Sequence, residues 1–165
     1  MTQREATIQW RDPADALAVL PDLDGIEFMK KIAAGELPGA PIAGHFDMDV
    51  LEVGPGTVTF RCRPDESHYN PIGMVHGGLV CTLLDSALGC ATHTTLPAGT
   101  GYTSIEIKVN YLRPVTAENG PLTCTGRVTK PGRRVTFAEG EVLDNQGKVV
   151  ATASSSLLVF PLQKS

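Results

Sequence analysis

The chain has 165 residues, 42% of them apolar and 19% charged, which fits one globular domain with a sizeable core and excludes a disordered chain. Its net charge is −4 and it carries no Lys/Arg-rich stripe, which argues against nucleic acid as the main partner. No stretch approaches the ~18 uninterrupted apolar residues of a membrane span, so no membrane association is expected.

Residues 1–40 read as a helical extension to the main pattern. Asp12-Pro13 starts a short helix through Leu20, and Pro21 stops it. A second helix is predicted from Gly25 to Ala34, with Ile26, Met29, Ile32 and Ala33 at helical spacing and Gly35 at its end. Leu37 to Pro41 is a linker. The extension either packs over an apolar opening or forms a surface appendage. Arg4, Glu5, Arg11 and Asp12 break any apolar core, so no secretory leader is expected.

Residues 41–165 form the main domain. Phe46, Met48 and Val50 alternate with acids, and Val58, Phe60 and Cys62 alternate with Thr57, Thr59 and Arg61. The Gly54-Pro55-Gly56 turn between them makes a hairpin. From His76 to Thr94 a long helix is predicted, with Leu79, Val80, Leu83, Leu84, Ala87, Leu88 and Ala91 placed on every side. Such a helix is buried. Four more strand signals follow, around Ile105–Val109, Leu122–Thr129, Arg134–Leu143 and Val149–Phe160. The architecture is α+β: two strands, a long helix, then four strands, giving a curved antiparallel sheet around one helix.

Asp85 sits in the middle of the apolar helix. An ionised carboxylate there is costly unless it is paired or functional. Apolar surroundings would also strengthen it as a base. The glycines at 77 and 78 open the helix, where N–H groups without partners face the chain entry and favour negative charge. They could equally serve only a tight turn. Asn70 is held out of the helical region by Pro71, and its amide either orients a ligand or bonds locally. His76 could cap the helix, orient the loop or assist proton transfer. Ser104 is favoured over Thr103 as the inward polar residue of its strand because that choice keeps Ile105, Ile107 and Val109 on one face. Thr82 and Ser86 could bond Asp85 or the helix backbone. His45, His68 and His93 lack ligand-like spacing, and Cys62, Cys81, Cys90 and Cys124 form no C-x-x-C pair. No metal or cofactor is expected, and a reducing cytoplasm is the simplest setting.

The layout, the segment Asn70-Pro-Ile-Gly-Met-Val-His76-Gly77-Gly78 and Asp85 nine residues after His76 resemble the hotdog-fold acyl-CoA thioesterases of the phenylacetate-degradation (PaaI-like) type. The resemblance covers roughly residues 41–160. It implies hydrolysis of an acyl- or aryl-acyl-CoA. Asp85 would be general base or nucleophile, with the amides near Gly77 and Gly78, together with Asn70, on the thioester oxygen. It implies Ser104 as a water-positioning residue and His76 as a positional one. Arg113, Lys130, Arg133 and Arg134, at strand ends or turns, would be the cations for the CoA phosphates, or else simply solvated turn residues. It further implies a homodimer, or a tetramer built from two dimers, with each active site between two subunits. The depth of the acyl pocket would depend on side chains such as Leu88, Phe46 and those of the extension.

Two rivals stand beside it. His68 with a helix acid faintly resembles the hotdog dehydratases of 3-hydroxyacyl thioesters. A non-catalytic acyl-CoA binding module is the other, although no helix-turn-helix precedes residue 41.

Overall fold

The computed structural model describes residues 2–162. Six strands form one antiparallel sheet: β1 (Met48–Gly54), β2 (Thr57–Cys62), β3 (Thr100–Tyr111), β4 (Leu122–Lys130), β5 (Val135–Leu143) and β6 (Val149–Pro161). Their order across the sheet is β1-β2-β4-β5-β6-β3. The expected antiparallel sheet around one long helix is therefore what the chain forms.

Alternation builds the inner face. In β2, Val58, Phe60 and Cys62 are buried while the intervening residues are not. Against this face lies α4 (Gly77–His93), about 26 Å long at its 17 residues. Leu83, Leu84, Ala87, Leu88 and Ala91 of α4 are all 0% exposed. One rung of the sheet is shaped to receive the helix. Gly126 of β4 pairs with Gly140 of β5, which pairs with Ala153 of β6. A Cβ on Gly126 would lie 2.4 Å from the Ala87 carbonyl oxygen, so the missing side chain lets helix backbone touch strand backbone.

The helix is not apolar on every side, as its composition suggested. Gly78 and Asp85 are exposed, and Gly77, Cys81, Thr82, Ser86 and Cys90 are half-buried. These positions fall on one helical stripe that points away from the sheet. Asp85 therefore stands on an open face of the chain and not within the core.

The extension forms α1 (Ala14–Val19) and α2 (Gly25–Ala33), and a short helix α3 (Pro41–His45) follows it. Ala16, Phe28 and Met29 join the main hydrophobic core. The α2 start is tied to the end of α4: the Gly25 N–H donates to the Leu96 carbonyl (3.0 Å), and Asp24 accepts from the Ala98 N–H (2.9 Å). The first helix ends at Val19, ahead of Pro21 as expected, and Pro21 sits in a following 3-10 turn, Leu20–Asp22. Two details differ from the sequence reading. Residues 41–45, too few to show a period, are helical with Pro41 at the first turn. The first strand begins at Met48, after Asp47 turns the chain at φ +44°.

Candidate active site

Asp85 and Ser104 meet. The Ser104 hydroxyl donates to Asp85 Oδ1 at 2.7 Å. Simple alternation does not produce this contact. Ser104 pairs with Leu157, but Glu106 pairs with Ser156, so Ile105 is an extra residue in a β-bulge. Directly opposed residues share a face. Ser104 (opposite Leu157), Ile107 (opposite Ser155) and Val109 (opposite Ala153) therefore all face α4, while Ile105 is 56% exposed. Unbroken alternation would have put Ser104 on the face away from Ile107 and Val109. The bulge is stabilised by Ser155, whose hydroxyl donates to the Glu106 carbonyl at 2.7 Å.

Asn70 and the helix start form a second group. Asn70 Oδ1 accepts from the Ile72 and Met74 N–H groups, both at 3.1 Å. Both partners are donors, so the accepting atom is the oxygen and the amide orientation is fixed. Among the described residues no group accepts from Nδ2, and Asn70, Gly77, Tyr111 and Arg113 help line a cavity of about 300 Å³. His76 caps α4: its Nδ1 accepts from the Gly78 N–H at 2.9 Å. That bond requires an unprotonated Nδ1 and places the ring proton on Nε2. The Leu79 N–H donates to the His76 carbonyl at 3.0 Å. Among the described residues no group accepts from the Gly77 N–H, so it is the donor at this helix start that a ligand can use. Replacing His76 with Ala is expected to lower stability by about 0.5–2 kcal/mol, read as an earlier chemical-denaturation midpoint.

Tyr111 belongs to this group, and sequence reasoning did not single it out. Its hydroxyl donates to the Gly77 carbonyl at 2.9 Å. A Cβ on Gly77 would approach its ring to 3.1 Å, so Gly77 and Tyr111 fit each other. A Tyr closing a strand carries no signal of such a role.

The two groups are separate within one chain. Gly77 and Asp85 lie eight residues apart on α4, about 12 Å along its axis. Asp85 and Ser104 open instead onto a larger cavity of about 890 Å³, walled on its other side by Ala16, Leu20, Met29, Ile32 and Leu37 of the extension. Leu88 and Phe46, expected to help shape the pocket, do not line it. Leu88 is 0% exposed beneath the sheet, and the Phe46 ring tilts against His68 at 5.8 Å. At the inner part of the cavity His93 lies between Phe28 and Tyr102, and burial pushes its pKa down to about 4. Burial also pushes the Cys90 thiol up to about 12, against the opposing effect of its neighbour Tyr102, so it is not a thiolate nucleophile.

The basic residues divide as well. Arg113 lines the smaller cavity, and its guanidinium donates to the Val149 carbonyl. Lys130, Arg133 and Arg134 are exposed at the β4–β5 turn. That turn lies at the other end of the helix, where the Gly56 carbonyl accepts from the Val128 N–H (2.8 Å) and its N–H donates to Thr94 (2.8 Å). Thr82 donates to the Gly78 carbonyl (2.9 Å) and Ser86 lines the larger cavity; neither bonds Asp85. His68 lines neither cavity. Its ring accepts from the Asp65 N–H (3.0 Å) and lies 3.2 Å from the His45 carbonyl.

The profile of the thioesterase superfamily matches residues 72–151, from just after Asn70 to the start of β6. A Saccharolobus solfataricus protein carrying an esterase name is 31% identical over 114 residues, 69% of this chain and 79% of its own length. Human acyl-coenzyme A thioesterase 13 is 28% identical over 103 residues, 62% of this chain and 72% of its own. Among solved structures, a phenylacetic acid degradation-related protein from Ralstonia eutropha JMP134 superimposes with a TM-score of 0.72 at 27% identity, covering 78% of this chain and 97% of that one. The sheet, the central helix and these relatives agree: the chain belongs to the thioesterase superfamily, with the hotdog fold, and is a thioester hydrolase.

Proposed function

We propose that the protein is a cytoplasmic acyl-CoA thioesterase that cleaves an acyl- or aryl-acyl-CoA to the free acid and CoA. The observation that carries this is the Asp85–Ser104 pair (2.7 Å) on an open helix face at the mouth of a large cavity. The Ser104 hydroxyl holds one carboxylate oxygen, which leaves Oδ2 to take a proton from water or to attack the thioester carbonyl itself. The Gly77 N–H and the Asn70 Nδ2 group receive the oxyanion as the carbonyl carbon becomes tetrahedral. The intermediate then expels the CoA thiolate, which takes up the proton that Asp85 removed from water; in the nucleophilic route the same expulsion leaves an Asp85–acyl anhydride, which water cleaves to the acid. His76 acts by holding the helix start. The acyl-CoA class is also supported by the printed name of the human relative.

One chain cannot bring both halves to one carbonyl, because the helix start and Asp85 are about 12 Å apart along α4. The site is therefore completed by a second copy: Gly77 and Asn70 of one subunit act with Asp85 and Ser104 of the other. The 12-residue β3 lies at the sheet edge with its backbone groups open to pairing, which supports a homodimer or a dimer of dimers. In such an assembly Arg113 and the Lys130–Arg134 turn, at opposite ends of each helix, supply cations for the CoA phosphates from both directions. The placement of His68 outside both cavities disfavours dehydration, and the open carboxylate disfavours a purely binding role.

The test is CoA release from a panel of straight-chain and aryl-acyl-CoAs. Turnover of at least one of them, lost in the Asp85→Asn variant, is expected. A folded wild type that binds CoA tightly and releases none from any member would contradict the proposal.

A further inference from the structure

The cavity that begins at Asp85 and Ser104 continues along α4 to Gly89, Cys90 and His93. Its buried part is apolar except for two side chains, Tyr102 and His93. His93 is 7% exposed, and its ring lies 5.3 Å from Phe28 and 5.5 Å from Tyr102. Among the described residues no group hydrogen-bonds either of its ring nitrogens. The buried side-chain polar atoms sealed away without a partner are Thr92 Oγ1 and Thr136 Oγ1. The His93 nitrogens are not among them, so they keep accessible surface, and His93 lines the cavity. A polar ring on the wall of an otherwise apolar pocket favours a ligand that can hydrogen-bond it. Burial holds this ring neutral at neutral pH, so one nitrogen donates and the other accepts.

We propose that the acyl group occupies this cavity and that His93 is a specificity residue, hydrogen-bonding an uncharged hydroxyl near the far end of a medium-length acyl chain. A hydroxyl both donates and accepts, as a neutral imidazole does. A carboxylate would find no cation there: the cationic side chain of the lining is Arg11, on the exposed extension, and it donates to the Gly35 carbonyl at 2.9 Å. Length follows from the helix. His93 is eight residues beyond Asp85, about 12 Å along the axis. A straight carbon chain covers that distance with roughly nine or ten carbons, given carbon–carbon bonds of about 1.5 Å. This assignment rests on acyl-CoA hydrolysis at Asp85 and goes further by naming the acyl group.

The experiment compares kcat/KM for decanoyl-CoA and 10-hydroxydecanoyl-CoA in the wild type and in His93→Phe. A preference of about tenfold or more for the hydroxylated substrate is expected in the wild type, because a site built to bond a hydroxyl rejects the analogue lacking it. In His93→Phe, which keeps an aromatic ring against Phe28 and Tyr102, the ratio is expected to fall to about one while decanoyl-CoA is still cleaved. Cleavage of decanoyl-CoA with no hydroxyl preference, or a preference that survives in His93→Phe, overturns the assignment. Absence of cleavage of both thioesters by a wild type that releases CoA from another member of the panel overturns the assignment alone, and release from no member overturns acyl-CoA hydrolysis and the assignment with it. A second measurement needs no variant. In the wild type, 10-hydroxydecanoate and not decanoate is expected to shift the His93 ring-nitrogen resonances, and equal shifts from both acids overturn the assignment.

Discussion

The Asp85→Asn variant is expected to lose about 10²–10⁴-fold in kcat while keeping its fold. The substitution preserves shape and can still accept from Ser104, but the amide can neither take the proton from water nor attack as a carboxylate. Asp85 is exposed on the open stripe of α4 and contributes nothing to the buried core, so stability should stay within about 0.5 kcal/mol of wild type. The two readouts together, CoA release and melting temperature, distinguish a chemical role from a structural one. A variant that kept a tenth of the wild-type rate would remove Asp85 from the chemistry. A nucleophilic role, as opposed to a basic one, would pass through an Asp85–acyl anhydride, seen as acyl group bound to the protein when turnover of a radiolabelled acyl-CoA is rapidly quenched.

The largest stability effect is expected at Leu88. Its side chain is 0% exposed, between α4 and the strands, and its Cδ2 would lie 3.1 Å from a Cβ on Gly140. Leu88→Ala leaves a hole that neighbours cannot fill, because the opposing rung is already glycine and alanine and its backbone is pinned by the ladder. The cost is about 2–5 kcal/mol, or roughly 4–20 °C in melting temperature for a domain of this size. Since Leu88 lines neither cavity, the folded fraction should keep its KM. A shift of less than 1 °C would show that the helix is not seated as described.

Much of the fold was legible because period decides it. The apolar positions of 79–91 and the alternation at 58, 60 and 62 have one physical solution each, a buried helix on a sheet. The motif from Asn70 to Gly78 and the acid at 85 also carried the family resemblance, which the relatives bear out. What stayed hidden was phase. Small residues such as Gly78 and Cys81 count as apolar in composition yet line the open face of α4, so Asp85 was placed inside the core. Ser104 was singled out on a strict alternation that the chain does not keep. The bulge at Ile105 resets the strand, and nothing in Ser104-Ile-Glu-Ile marks it. The role of Tyr111 depends on two strand ends meeting a helix start, which no local pattern encodes. The separation of Arg113 from Lys130, Arg133 and Arg134 depends in turn on the direction of β4 along the helix.

The central claim is a site shared between two chains, and subunit complementation tests it most directly. Asn70→Asp keeps the oxygen that accepts from Ile72 and Met74 but removes the Nδ2 donors and sets a negative charge beside the oxyanion. Asp85→Asn removes the other half. Each variant alone is expected to be nearly inactive. Unfolded together in equal amounts and refolded, they should recover about a quarter of wild-type CoA release, because half of randomly paired dimers are mixed and each mixed dimer has one intact site. No recovery above the parents, in a sample where mixed dimers are shown to form, would contradict the shared site.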